Sequence, residues 1–136
     1  MANITCAAYK TLGAGFSNER QNVKLTYDFT NDGGAYSGNT YRLGRAGRKI
    51  IMTECVVQVE TAVVGSSSTI TLGTTSASSV MLNGVAEATL VDDYVVDTAG
   101  AQAEMIASGD YITMTIGTAN LTAGKINVFL SYYNAD

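Results

Sequence analysis

The sequence predicts an all-β fold, an antiparallel sandwich or barrel, with a Gly-rich, less regular N-terminal part. Three observations predict it. Apolar and polar residues alternate with period two in stretches of β-branched and aromatic residues, as they do where one face of a strand is buried. Clusters of Gly, Ser and Asn punctuate these stretches at short intervals. No helical periodicity longer than about ten residues competes with them.

The first clear strand is Val23-Lys24-Leu25-Thr26-Tyr27-Asp28-Phe29, with its odd positions apolar; it stops at the turn cluster Asn31-Asp32-Gly33-Gly34. A long β-prone run covers 50–64, with Ile51, Cys55, Val57 and Val59 expected on one face and Glu54, Gln58 and Glu60 on the other. Shorter strands follow at Thr69–Leu72, closed by Gly73, and at Val80–Leu82, closed by the hairpin-type dipeptide Asn83-Gly84. Tyr94–Val96 and Glu104–Ile106 come next. Ala86–Val91 and Ala99–Ala107 each have room for a helical turn. The last two strands are the best defined: Tyr111–Ile116 with Ile112, Met114 and Ile116 inward, and Lys125–Tyr133 with Ile126, Val128, Leu130 and Tyr132 on one face. Thr122-Ala123-Gly124-Lys125 reads as the tight turn between them.

All 136 residues read as one sandwich domain, with 1–49 less regular. The stretch from Gly13 to Gly47 holds seven of the fourteen glycines and, apart from the strand at 23–29, reads as irregular loop. A loop that long in a compact domain is usually functional or ordered by a partner.

Composition narrows the function. The chain has no His, Trp or Pro, so it lacks the commonest general base and the commonest metal ligand. Without a base, Ser66-Ser67-Ser68 and Ser76–Ser79 are turns and not nucleophiles, and no catalytic residue is assigned. Cys6 and Cys55 are too few and too far apart for a zinc knuckle, and are expected as buried free thiols. The acidic group Asp92, Asp93 and Asp97, with Glu87 nearby, has no calcium-loop spacing. No metal and no cofactor are expected.

Net charge is −4, which argues against generic nucleic-acid binding. No apolar run approaches a membrane span, and the N-terminus lacks the basic start and apolar core of an export signal. The charge is also uneven. Residues 1–67 carry seven basic and five acidic side chains (+2), whereas 68–136 carry one and seven (−6), so two electrostatically different ends are expected.

The most distinctive stretch is Gly44-Arg45-Ala46-Gly47-Arg48-Lys49, preceded by Tyr41-Arg42. It reads as a basic loop with Tyr36 and Tyr41 beside it, suited to gripping phosphates or an acidic protein surface; the alternative is a solvated turn. Tyr36, Tyr41, Arg42, Arg45, Arg48 and Lys49 are therefore the candidate partner-binding residues.

From about Val56 to Tyr133 the chain resembles the head decoration or cement proteins of tailed bacteriophages, which have a jelly-roll-like β-sandwich. The phrases that carry the resemblance are Val57–Ala62 followed by Ile70–Thr74, then Met105 with Ser108-Gly109-Asp110-Tyr111-Ile112. The close is Leu121-Thr122-Ala123-Gly124-Lys125 running into the alternating strand up to Tyr132. The resemblance implies a non-enzymatic virion protein on the capsid surface, made in the host cytoplasm. Its partner would be the major capsid protein, and it would act as a homo-oligomer, a trimer. In such proteins an extended N-terminal segment lies along the capsid, a role that suits residues 1–49 here. The competing reading is a carbohydrate-binding module or tail-fibre-like receptor-binding β-domain, disfavoured by the lack of Trp platforms.

Overall fold

The computed structural model describes residues 2–13, 19–36, 39–97 and 104–135. Among the described residues ten strands build two sheets that pack face to face. In chain order they are β1 (Ala2–Leu12), β2 (Gln21–Asp28), β3 (Asn39–Ala46), β4 (Ile50–Gly65), β5 (Thr69–Thr74), β6 (Leu82–Ala86), β7 (Val95–Asp97), β8 (Glu104–Ile106), β9 (Tyr111–Gly117) and β10 (Leu121–Asn134). One sheet has the order β1-β3-β9-β5-β6; the other runs β2-β10-β4-β7, with β8 also paired to β4. The fold class read from the sequence, an all-β sandwich, is the one observed.

Alternation builds the core. Ile112, Met114 and Ile116 of β9 and Ile70 and Leu72 of β5 face Val57 and Val59 of β4 and Ile126, Val128 and Leu130 of β10, all of them buried. Each fully buried aliphatic side chain stabilises the fold by about 1.5–3 kcal/mol relative to exposure. Tyr27 and Tyr41 meet edge to face inside the sandwich, with ring centroids 5.4 Å apart. Their hydroxyls donate to the carbonyls of Gly33 and Ala35, which ties the segment after β2 to the core.

The sequence misplaced several local features, each for a physical reason. The stretch read as loop from Gly13 to Gly47 contains β3, and β1 precedes it, pairing with β3 in parallel. Five polar or small residues in β3 hid its apolar face, which is Tyr41, Leu43 and Ala46. Gly15 and Gly38, part of the same glycine-rich reading, lie outside the described residues, as does 99–103 of the second suspected helical turn; Glu104–Ile106 is β8, a strand as expected. The first suspected helical turn is present as a 3-10 turn at Glu87–Thr89, and a four-residue helix, α1 (Phe29–Asp32), was unforeseen.

Bulges account for the rest. Ser131 pairs with Glu54 but Tyr132 pairs with Met52, so Thr53 is an extra residue and the parity of β4 inverts there. Ile50 and Met52 therefore point inward, and Ile51, expected to share a face with Cys55, does not. Thr122–Lys125 is not a turn; it lies within β10, whose register against β4 shifts at these residues, and the chain reverses at Thr118–Asn120. Asn83-Gly84 does not end a hairpin either. Ile70 pairs with Val85 and Leu72 with Leu82, so the dipeptide forms a bulge inside β6. Gly84 adopts φ 59° there and donates its N–H to Thr71 Oγ1.

A larger irregularity shapes β1. Thr5 pairs with Arg42 and Lys10 with Gly44, so Cys6–Tyr9 form a bulge in this edge strand, with Cys6 in the core. The Asp32 carboxylate holds this bulge against β2, accepting from Ala7 N–H (2.8 Å) and Asp28 N–H (2.9 Å). Cys6 and Cys55 are buried thiols, and burial with the neighbouring Asp32 pushes the Cys6 pKa far up, so its reactive thiolate is suppressed.

Across the outer face of the second sheet runs a polar ladder. Thr26 Oγ1 donates to Asn127 Oδ1 (2.9 Å), and Asn127 Nδ2 donates to Gln58 Oε1 (3.1 Å) and Glu60 Oε2 (3.2 Å). Lys125 closes it on Glu60 at 3.1 Å. The Asn127 hydrogen bond, helped by Lys125, holds the Glu60 carboxyl below the ordinary glutamate range. A carboxyl depressed in the folded state contributes stability above its unfolded pKa and loses it as pH falls through the folded value. Glu60 is therefore expected to titrate by NMR below glutamate in a model peptide, and Lys125→Ala should move it part of the way back. A Glu60 midpoint at or above the peptide value contradicts the ladder.

Candidate functional site

The side chains that can act on a partner gather on the outer face of the first sheet. Strand register sets two rows across it: Asn3–Thr40–Thr115–Thr71, and Thr5–Arg42–Thr113–Gly73. Because Ile112, Met114 and Ile116 point inward, Tyr111, Thr113 and Thr115 point outward. The Arg42 guanidinium sits over the Tyr111 ring, 3.9 Å from its centroid.

The second row ends in glycine, and the chain uses the space. Residues 75–81 fold back over Gly73, and their backbone occupies the position a Cβ would take. Thr74 and Ala77 exchange hydrogen bonds, Thr75 N–H donates to the Tyr111 carbonyl, and Tyr111 N–H donates to Thr75 Oγ1, all at 3.0 Å. Ser76 Oγ adds a 2.7 Å bond to Asp110. The result is a groove of about 380 Å³, floored by Thr40, Arg42, Thr113 and Thr115 and walled by Thr74, Thr75 and Ser78. Among the described residues Arg42 is the one charged residue lining it. Hydroxyls, an amide from Asn3 and a guanidinium bind; none of them is a base or an activated nucleophile. Among the described residues no three His, Cys, Asp or Glu side chains converge to hold a metal ion.

The six residues singled out in the sequence do not form one loop. Tyr41 is 1% exposed and belongs to the core, so it is corrected from anchor to structural residue. Arg42 lies in the groove. Arg45 is the exposed partner of Tyr111 in register, near the end of β3. Arg48 and the exposed Lys49 follow in the turn to β4, fastened by Ser108 Oγ to the Gly47 carbonyl and by Ala135 N–H to the Lys49 carbonyl. Tyr36 is 41% exposed at the opposite end of β3, its N–H held by Asn120 Oδ1. The far end also carries Glu87 and Asp92, which accept from Ser67 and Ala62 N–H. The expected polarity of the molecule is thus partly realised. Tyr111 and the threonine rows were missed. Their signal was present as the polar half of the β9 alternation, but only strand register reveals that four strands contribute to one face.

The β-sandwich thus presents a polar groove on one face and a basic turn at one end. The sequence matches no family model and no curated protein. In fold it is similar to a chain in the cyanophage Pam1 capsid asymmetric unit, with a TM-score of 0.66 and 11% identity over 90% of this chain and 89% of that one. It is similar to a chain in the capsid of Ralstonia phage GP4, with a TM-score of 0.65 and 14% identity over 99% of both. A chain in the acidic stable capsid structure of Helicobacter pylori bacteriophage KHP30 gives 0.57 and 13%, over 87% of this chain and 95% of that one. At these identities the likeness is one of fold, and it spans almost the whole of each chain.

Proposed function

We propose that this chain is a bacteriophage virion structural protein, one that decorates the capsid and stabilises it by bridging neighbouring capsid subunits. The observation that carries the reading is the near-complete mutual coverage with chains in three phage capsids. Mutual coverage means the likeness is to whole small chains and not to a domain inside a larger one. The charge layout supports docking at the end that bears Arg45, Arg48 and Lys49, on an acidic surface of the major capsid protein. Tyr36, beyond the opposite end of β3, a strand of eight residues and so about 26 Å long, would meet a second neighbour.

In the same reading the protein acts as a trimer. The outer face of the second sheet offers an apolar row for contact between copies, Tyr133–Ile51–Met105 in register across β10, β4 and β8, with Phe129 beside Val56. Many weak contacts repeated over a symmetric shell give avidity without high single-site affinity. The test is mass spectrometry of purified particles of the parent phage. The protein should be present at a fixed ratio to the shell subunit and should rebind stripped particles; its absence from particles overturns the reading.

A further inference from the structure

We propose that the groove over Tyr111 binds an acidic saccharide, a sugar chain bearing carboxylates. The proposal does not rest on the capsid reading. It follows from what the groove offers and from what it withholds.

The groove lies across β1, β3, β9 and β5, of which β3, β9 and β5 are paired on both sides and β1 is the edge strand. Its floor on β3, β9 and β5 therefore offers no strand edge to which an extended peptide could add by backbone pairing; the free edge is that of β1, at the groove's margin. Among the described residues its lining holds no Leu, Ile, Val or Met, and its one aromatic ring, Tyr111, is covered by Arg42, so it offers little to an apolar anchor. What remains is a fixed array of hydroxyls and one amide. Neighbouring strands place these groups about 4.8 Å apart and alternate residues about 6.8 Å apart, so more than one of them can hydrogen-bond the hydroxyls of a single pyranose ring or of two consecutive rings.

Charge sets the subclass. In a chain of net charge −4, the groove contains a guanidinium and no carboxylate. Among the described residues Arg42 makes no ion pair; its contact is the Tyr111 ring. A guanidinium stacked by its face keeps its N–H edge for a planar oxyanion, which it meets with two parallel hydrogen bonds. The volume, about 380 Å³, falls in the range of small-ligand sites and holds roughly two sugar rings. The wall is preorganised by its bonds to Tyr111 and Asp110, so little ordering opposes binding.

The test titrates isotope-labelled protein with tetragalacturonate, with neutral maltotetraose and with tetraglutamate, following backbone amides by NMR. Tetragalacturonate should shift Thr40, Thr75, Tyr111 and Thr113 and bind at least tenfold tighter than maltotetraose. Arg42→Ala should weaken it at least tenfold, and Arg42→Lys less. Thr113→Val removes a hydroxyl without touching charge and should weaken binding several-fold, which keeps the test decisive if Arg42→Ala disturbs folding. Shifts confined to other surfaces, equal binding of maltotetraose, tetraglutamate binding as tightly at the same amides, or full binding by both Arg42→Ala and Thr113→Val would each overturn the proposal.

Discussion

Gly73→Ala is expected to lower stability by about 3 kcal/mol, at the upper end of overpacking costs, and the melting temperature by about 10 °C. The residue looks innocuous in sequence, a glycine closing a short strand. In the fold its Cβ position is already filled by the Ala77 carbonyl oxygen and by the backbone of Ser78. The obstruction is backbone, so no side-chain rotamer relieves it. The loop cannot simply lift, because Thr74, Thr75 and Ser76 fasten it through the bonds to Ala77, Tyr111 and Asp110. Its far end is fixed too, by Met81 N–H on the Leu72 carbonyl and the buried Met81 and Leu82 side chains. An added methyl must therefore break part of this lattice or bend β5 away from β9. Hydrogen exchange should localise the damage, with faster exchange at Thr75, Ala77 and Met81 than in β10. An unchanged melting temperature with unchanged protection at these amides would show that the loop does not close over Gly73.

The same glycine illustrates how far sequence reasoning reaches. Periodicity identifies a strand by its own side chains, and it located β2, β4, β5, β9 and β10 because each contains a run of alternating apolar residues. It failed at β3, where Arg42, Gly44 and Arg45 interrupt the pattern and a bulge after Arg42 changes its parity. It also failed at Thr53, since an inserted residue is invisible until a partner strand supplies the register. The site suffered from the same blindness. Arg42 was legible as a notable cation, but its partner Tyr111 is sixty-nine positions away, and only the antiparallel pairing of β3 with β9 joins them. Tyr41, next to Arg42 in sequence, points the other way for the elementary reason that successive strand residues do. A cluster of basic and aromatic residues along a chain is thus a poor guide to a surface when the chain there is a strand.

That geometry sharpens what charge reversal at the basic end should do. Arg45→Glu combined with Lys49→Glu is expected to reduce occupancy on stripped particles at least tenfold at physiological salt, with a melting temperature within a few degrees of the parent. Both side chains are exposed, and exposed charges contribute about 1 kcal/mol or less to folding. Two reversals change the local charge by four units (two cations lost and two anions gained), which turns attraction to an acidic shell surface into repulsion. Screening then makes the prediction specific: raising salt should weaken binding of the parent and should leave the variant flat or slightly improved, because salt now masks repulsion. Arg42→Ala serves as the contrast. Its guanidinium lies on the Tyr111 ring in the groove, so its loss leaves Arg45 and Lys49 in place and should reduce particle occupancy far less than the double reversal does. Parental occupancy and salt slope in the double variant would move the docking surface to the apolar outer face of the second sheet. There Phe129, Tyr133 and Met105 are exposed, and binding would strengthen rather than weaken with salt.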